Sequence, residues 1–308
     1  MENNNQGVKK HAWENYWTDG RDSGSIGCLP DSTPEIVELQ LEFWKSTLSP
    51  LPRKARIVDL ATGDGGVLQQ IQRIRTDLKL TGVDYSSKLP PAPKHIKLRP
   101  NVDMEDLPFA DASISGFVSR FGVEYGDMER IAAQVEQKLG RGGVFAFMIH
   151  HSGSPIHAIN KARAEQLSWA LNDQQVTAKA DAYLRSRQML GNIVPPGFQA
   201  TANAAMQKFG RHSVATEFAH AVLQTLTIGI DKPVEVCRSI IGQLTNQSTQ
   251  EITRIQAMLS ASKDDVGMQV VEEQFASAGL QVDARFPMVL KSEDQPIAWA
   301  INGKKITP

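Results

Sequence analysis

The stretch Asp59-Leu60-Ala61-Thr62-Gly63-Asp64-Gly65-Gly66 is where the sequence is best equipped for chemistry. It lies between a short apolar run and an amphipathic one, so it reads as a strand-to-helix turn. Glycines there let the backbone turn sharply and approach a ligand closely. The start of the following helix offers unpaired N–H groups and the positive end of a dipole. Asp84 follows Gly65 by 19 positions and closes the run Thr81-Gly82-Val83. An acid at the end of a second strand can accept hydrogen bonds from ribose hydroxyls. Together these residues point to a nucleotide-like ligand. The dinucleotide fingerprint G-x-G-x-x-G is met at Gly63 and Gly65 but not at its third position, where Leu68 stands.

A second group could move protons. His150 and His151 end a strongly apolar run, Gly142 to Ile149, and an imidazole titrates near neutral pH. Glu124 and Tyr125 follow another such run, Ile114 to Ser119. A metal reading of the two histidines is disfavoured. Neighbours on an extended chain point to opposite faces, and no Cys/His cluster accompanies them. No metal is expected.

These residues need a scaffold. Arg56–Ala61, Leu78–Asp84, His95–Leu98, Ile114–Ser119 and Gly142–Ile149 read as strands, with helices over Val67–Arg75 and Met128–Leu139 between them. Such alternation implies a mainly parallel sheet. Thr33 and Pro34 form a helix start, with the helix running to Leu48. Residues 152–262 read as helical throughout, with candidates at 155–171, 176–190, 200–209, 213–229, 233–246 and 249–261. An α/β pattern returns with a helix over Val266–Ala278 capped by Gly279, strands at Val282–Leu290 and Ile297–Ile301, and Asn302-Gly303 as a turn. The expected organisation is therefore an N-terminal cap (1–50), an α/β domain (51–151 with 263–308), and a helical insertion (152–262) acting as a substrate lid. An excursion of that size tends to be functional.

With 308 residues, 33 basic and 34 acidic, the chain has a net charge of −1, which disfavours a dedicated nucleic-acid binder. Apolar content of 41% excludes a disordered chain. Cys28 and Cys237 form no disulfide framework, and no apolar run is long enough for a membrane span or a signal peptide. A cytoplasmic protein is expected.

Four segments in order resemble the class I S-adenosylmethionine-dependent methyltransferases. Ile57 to Gly65 is similar to their motif I, and Asp84 matches the acid ending their second strand. Asp103-Met104-Glu105-Asp106-Leu107-Pro108-Phe109-Ala110-Asp111-Ala112-Ser113 is similar to their D-x-x-x-L-P-F-x-D-x-S segment. Leu139-Gly140-Arg141-Gly142-Gly143 resembles their L-x-P-G-G turn, with Arg141 for proline. Ala61-Thr62 replaces the family's frequent glycine-cysteine, and Asp64 stands where threonine is usual. The resemblance covers 55–151 and extends to 263–303.

It implies a seven-stranded Rossmann-like α/β fold and S-adenosylmethionine as cofactor. By the resemblance, Asp59 sits beneath the methionine part, while Ala61, Gly63 and Gly65 line the cofactor loop. Asp84 binds both ribose hydroxyls and Tyr85 lies against the adenine. Asp103 and the Met104 N–H read the adenine edge. Arg120 and Phe121 stand near the methionine end. Tyr16 and Trp17, in an aromatic cluster with Trp13, are expected to fold over the cofactor. His150, His151 and Glu124 are the candidate catalytic residues. The implied reaction is direct transfer to a small, partly apolar acceptor. The alternatives are a methyltransferase of RNA or protein, a nicotinamide-dependent oxidoreductase, and a non-catalytic cofactor-binding protein. A homodimer through the insertion is a further expectation.

Overall fold

The computed structural model describes residues 33–187, 193–291 and 294–306. The aromatic cluster holding Tyr16 and Trp17 lies outside them. The elements run α1 (Pro34–Leu48), β1 (Arg56–Leu60), α2 (Gly66–Ile74), β2 (Lys79–Val83), β3 (Ile96–Arg99), β4 (Ile114–Arg120), a 3-10 turn (Val123–Tyr125), α3 (Met128–Lys138) and β5 (Leu139–Ile149). They continue through α4 (Pro155–Ser168), a π turn (Trp169–Asp173), α5 (Val176–Ser186), α6 (Pro196–Phe209), α7 (Val214–Ile228) and α8 (Val234–Ala261). The chain closes with α9 (Asp265–Ser277), β6 (Leu280–Val289) and β7 (Pro296–Lys305).

One sheet of seven strands takes the order β3-β2-β1-β4-β5-β7-β6. Strands β1 to β5 are mutually parallel, and β7 runs antiparallel between β5 and β6. This is the Rossmann-like α/β arrangement expected from the sequence. The order reverses between β1 and β4, so their carboxyl ends open the crevice where such sheets bind ligands.

Period-two alternation builds a core on each face. On one face, Ile57, Val118, Ala146, Met148 and Ala300 meet Phe43, Trp44 and Leu48 of α1 and Leu68 and Ile71 of α2. On the other, Val58, Phe117, Phe145, Phe147 and Ile301 meet Ile131 and Val135 of α3 and Val271 and Phe275 of α9.

The chain divides into two compact units, one running to Ala158 and resuming at Ala257, the other Ile159–Gln256. The second has its own apolar core, including Leu167, Tyr183, Leu184, Phe198, Val222, Leu226 and Ile241.

Three local expectations are corrected. Residues 233–246 and 249–261 form one helix, because nothing in Asn246-Gln247-Ser248 breaks it and the hydroxyls of Thr245, Thr249 and Thr253 donate to carbonyls one turn back. The helix expected over 155–171 stops at Ser168 and passes into the π turn. Asn302-Gly303 is not a turn but lies within β7, paired with Ala146 and Phe145. A Cβ at Gly303 would stand 2.0 Å from the Gln281 carbonyl oxygen, so glycine serves close strand approach there.

Candidate active site

The crossing from β1 to α2 is held in left-handed backbone at three alternate residues: Ala61 (φ 54°), Gly63 (φ 54°) and Gly65 (φ 77°). Gly65 caps α2 without a side chain. The loop is braced from three sides. Asp84 Oδ2 accepts from the Gly63 N–H at 2.9 Å, the Thr62 N–H donates to the Val83 carbonyl, and Ser119 Oγ donates to the Leu60 carbonyl. Gly122 presses close: a Cβ there would come within 2.6 Å of the Ala61 Cβ.

Asp84 is nearly buried, and its Oδ1 accepts from the Ser86 N–H. Burial pushes its carboxyl above the ordinary value, while the Ser86 and Gly63 N–H groups pull it back. Each oxygen holds one backbone donor. An ionised carboxylate offers about four acceptor positions, so capacity for two hydroxyls remains.

Asp59 is fully buried. Its Oδ2 accepts from Thr62 Oγ1 at 2.6 Å, and its Oδ1 has no hydrogen-bond partner among the described residues. Burial raises its pKa to about 7, against the pull of the Thr62 hydrogen bond and of Arg120. A buried carboxylate oxygen without a hydrogen-bond partner is costly to the fold, which sets Asp59 apart from an ordinary packing residue.

On the flank beyond β2, Tyr85 follows Asp84 in the chain and is exposed at 47%. Asp103 is exposed, with Oδ1 accepting from the Glu105 N–H, and Met104 packs against the core.

At the end of β4, Phe121 is also left-handed (φ 57°), and its N–H donates to the Met148 carbonyl of β5. This aims its ring at His150, with centroids 4.3 Å apart. Glu124, on the 3-10 turn, reaches the same histidine. Its Oε1 lies 2.7 Å from His150 Nδ1 and accepts from the His150 N–H. Both side chains are buried.

The two candidate histidines therefore part company. His150 joins Glu124 and Phe121. His151 does not: it stacks on Trp299, with centroids 4.7 Å apart, its Nδ1 accepts from the Gly153 N–H, and it bridges to Lys263. Burial lowers its pKa. Among the described residues, no group of three His, Cys, Asp or Glu could hold a metal ion.

Two site residues went unnoticed in the sequence. Gln40 and Gln70 link α1 and α2 to Arg120. The available signal was a glutamine on the apolar stripe Ile36, Gln40, Phe43, Trp44, Leu48.

Residues 58–147 match the family described as "Methyltransferase domain". This segment is a methyltransferase domain. Over 112 residues the chain is 35% identical to the demethylmenaquinone methyltransferase of Thermotoga maritima, covering 35% of this chain and 45% of that protein. The chain thus spans less than half the length of this curated relative. A solved 1,6-didemethyltoxoflavin-N1-methyltransferase of Burkholderia thailandensis shares the fold of the methyltransferase domain, with TM-score 0.50 and 9% identity over 100% of this chain and 91% of that one. Among the described residues, no helix is long and apolar enough to cross a membrane.

Proposed function

We propose that this chain methylates a small, partly apolar acceptor, with His150 as general base and Glu124 as the group that orients it. The observation carrying this reading is the 2.7 Å contact between Glu124 Oε1 and His150 Nδ1 at the carboxyl ends of β4 and β5. With Nδ1 engaged, Nε2 is the nitrogen that takes the proton, and the carboxylate stabilises the imidazolium that forms. A buried pair of this kind costs stability, so its presence at a strand end suits a functional role.

Bound S-adenosylmethionine supplies an electrophilic methyl group on a sulfonium. In this reading, Asp84 holds the ribose hydroxyls and Tyr85 lies against the adenine. Asp103 and the Met104 N–H take its edge. Asp59 and the loop Ala61–Gly65 receive the methionine end. Arg120 and Phe121 border the reacting centre. These groups contribute by orientation and by exclusion of water.

A small acceptor is supported by the near-neutral charge of the chain and by the long helical stretch after β5, of the size expected of an acceptor-selecting element. The test is release of S-adenosylhomocysteine across a panel of small hydroxyl, amine, thiol and activated-carbon acceptors, each assayed with wild type and His150→Ala. The expected result is turnover on one class, lost in the variant. Turnover on tRNA or protein alone would replace the small-acceptor reading. Equal turnover by His150→Ala would remove the base.

A further inference from the structure

Four side chains form one hydrogen-bonded chain that ends at the methyltransferase loop. Trp44 Nε1 donates to Gln70 Oε1 at 2.9 Å, and Gln70 Nε2 donates to Gln40 Oε1 at 2.7 Å. Arg120 Nη1 donates to that same Gln40 oxygen at 2.9 Å. Trp44 is fully buried and Gln40 is 2% exposed. An amide at this depth is costly unless paired. Packing alone would accept leucine on this stripe of α1, so the glutamine asks for a polar reason.

The chain aims Arg120. A Cβ built on Gly66, the first residue of α2, would stand 3.3 Å from Arg120 Nη2 and 3.1 Å from Asp64 Oδ1. The guanidinium therefore lies at the start of α2, close to Asp64. Asp59, whose Oδ1 is buried without a partner among the described residues, feels the same cation. One fixed cation and two carboxylates around the crossing from β1 to α2 complement a zwitterion. The carboxylate of an amino acid would take the guanidinium fork, and its ammonium would take the aspartates.

We propose that Gln40 is a positioning residue of the cofactor site: locked by Gln70 and Trp44, it holds Arg120 so that N–H groups Gln40 does not use receive the α-carboxylate of the methyl donor. The proposal rests on S-adenosylmethionine being the cofactor. It makes α1, which carries no motif residue, part of the site.

The test compares two ligands by calorimetry. S-adenosylhomocysteine carries the amino-acid head, and 5′-methylthioadenosine is the same nucleoside thioether without it. Gln40→Leu is expected to weaken the first about tenfold and to leave the second within about twofold. Gln40→Glu, which keeps an acceptor for Arg120, is expected to recover most of the loss. In an Arg120→Gln background, adding Gln40→Leu should cost less than about twofold further, because the pair acts as one unit. Equal weakening of both ligands, a tenfold loss that persists without Arg120, or no loss would each overturn the proposal. If Gln40→Leu does not fold, Arg120→Gln decides: a loss confined to S-adenosylhomocysteine upholds the carboxylate contact, and an even loss rejects it. Wild type that binds 5′-methylthioadenosine as tightly as S-adenosylhomocysteine rejects the proposal alone. Wild type that binds neither rejects the cofactor reading beneath it.

Discussion

The sheet unit and the helical unit bury polar groups in different ways. In residues 159–256, buried polar side chains are mostly spent on nearby backbone. Arg187 donates to the carbonyls of Gly229 and Lys232, Cys237 Sγ to that of Gly229, and Ser213 caps α7 by accepting from the Thr216 N–H. In the sheet unit, Asp59, Asp84, Glu124 and His150 gather at the carboxyl ends of β1, β2, β4 and β5, next to four left-handed residues, Ala61, Gly63, Gly65 and Phe121. Some are held by backbone N–H groups and some by each other. Burying charge without neutralising it costs stability, so such a cluster marks a place where ligand or reaction supplies the missing partner. In the helical unit the buried Arg187 and Ser213 engage main-chain groups and, among the described residues, are not gathered with other charged side chains.

Substitutions can break or sharpen this contrast. The largest expected effect is His150→Ala, lowering kcat by about 10²–10⁴ with S-adenosylhomocysteine affinity little changed. Steady-state kinetics on the accepted substrate together with calorimetry would check it. An equal loss in both measurements would move His150 from proton transfer to cofactor binding.

Asp59 gives a pH signature. Its pKa is about 7 in the fold against 3.8 for an ordinary aspartate, so between those values the folded chain binds more protons than the unfolded one. Stability should therefore fall as pH rises through that window, by up to about 4 kcal/mol. Asp84, raised in the same direction, adds to the slope. Urea titrations at pH 5 and pH 8 should show the fall, and Asp59→Asn should flatten most of it. Affinity for the cationic donor should run the other way, rising with pH as Asp59 ionises. A flat stability profile in wild type would contradict the burial of its charge.

In the helical unit, Arg187→Met should cost about 1–3 kcal/mol of stability, by orphaning two carbonyls, with no change in cofactor affinity. A fall in affinity there would erase the contrast between the units. The smallest effect expected is Ala61→Gly. A left-handed alanine costs roughly 1 kcal/mol, offset in part by the looser unfolded chain of glycine, so thermal melting should show stabilisation below about 1 kcal/mol.

Much of this was legible in the sequence because it is local. Strand-to-helix alternation, the Asp59–Gly66 turn, the acid at Asp84 and the Gly279 cap are each written within a dozen residues. What escaped is non-local or context-bound. Asn302-Gly303 has the composition of a turn, and only the facing Gln281 and Phe145 make it a strand crossing. The division of His150 from His151 follows from strand alternation, but which of them meets Glu124 depends on the 3-10 turn 26 positions earlier. The link from Gln40 to Arg120 spans 80 positions and leaves only a buried glutamine as its trace.

The central claim is that the ends of β1, β2 and β4 hold S-adenosylmethionine. Calorimetric titration of wild type and Asp84→Ala with S-adenosylmethionine, with NAD as control, tests it most directly. The account predicts micromolar or tighter binding of S-adenosylmethionine, a loss of at least about tenfold (~1.4 kcal/mol) in Asp84→Ala, and no binding of NAD. Binding of NAD alone, or of S-adenosylmethionine with equal strength in the variant, would contradict it.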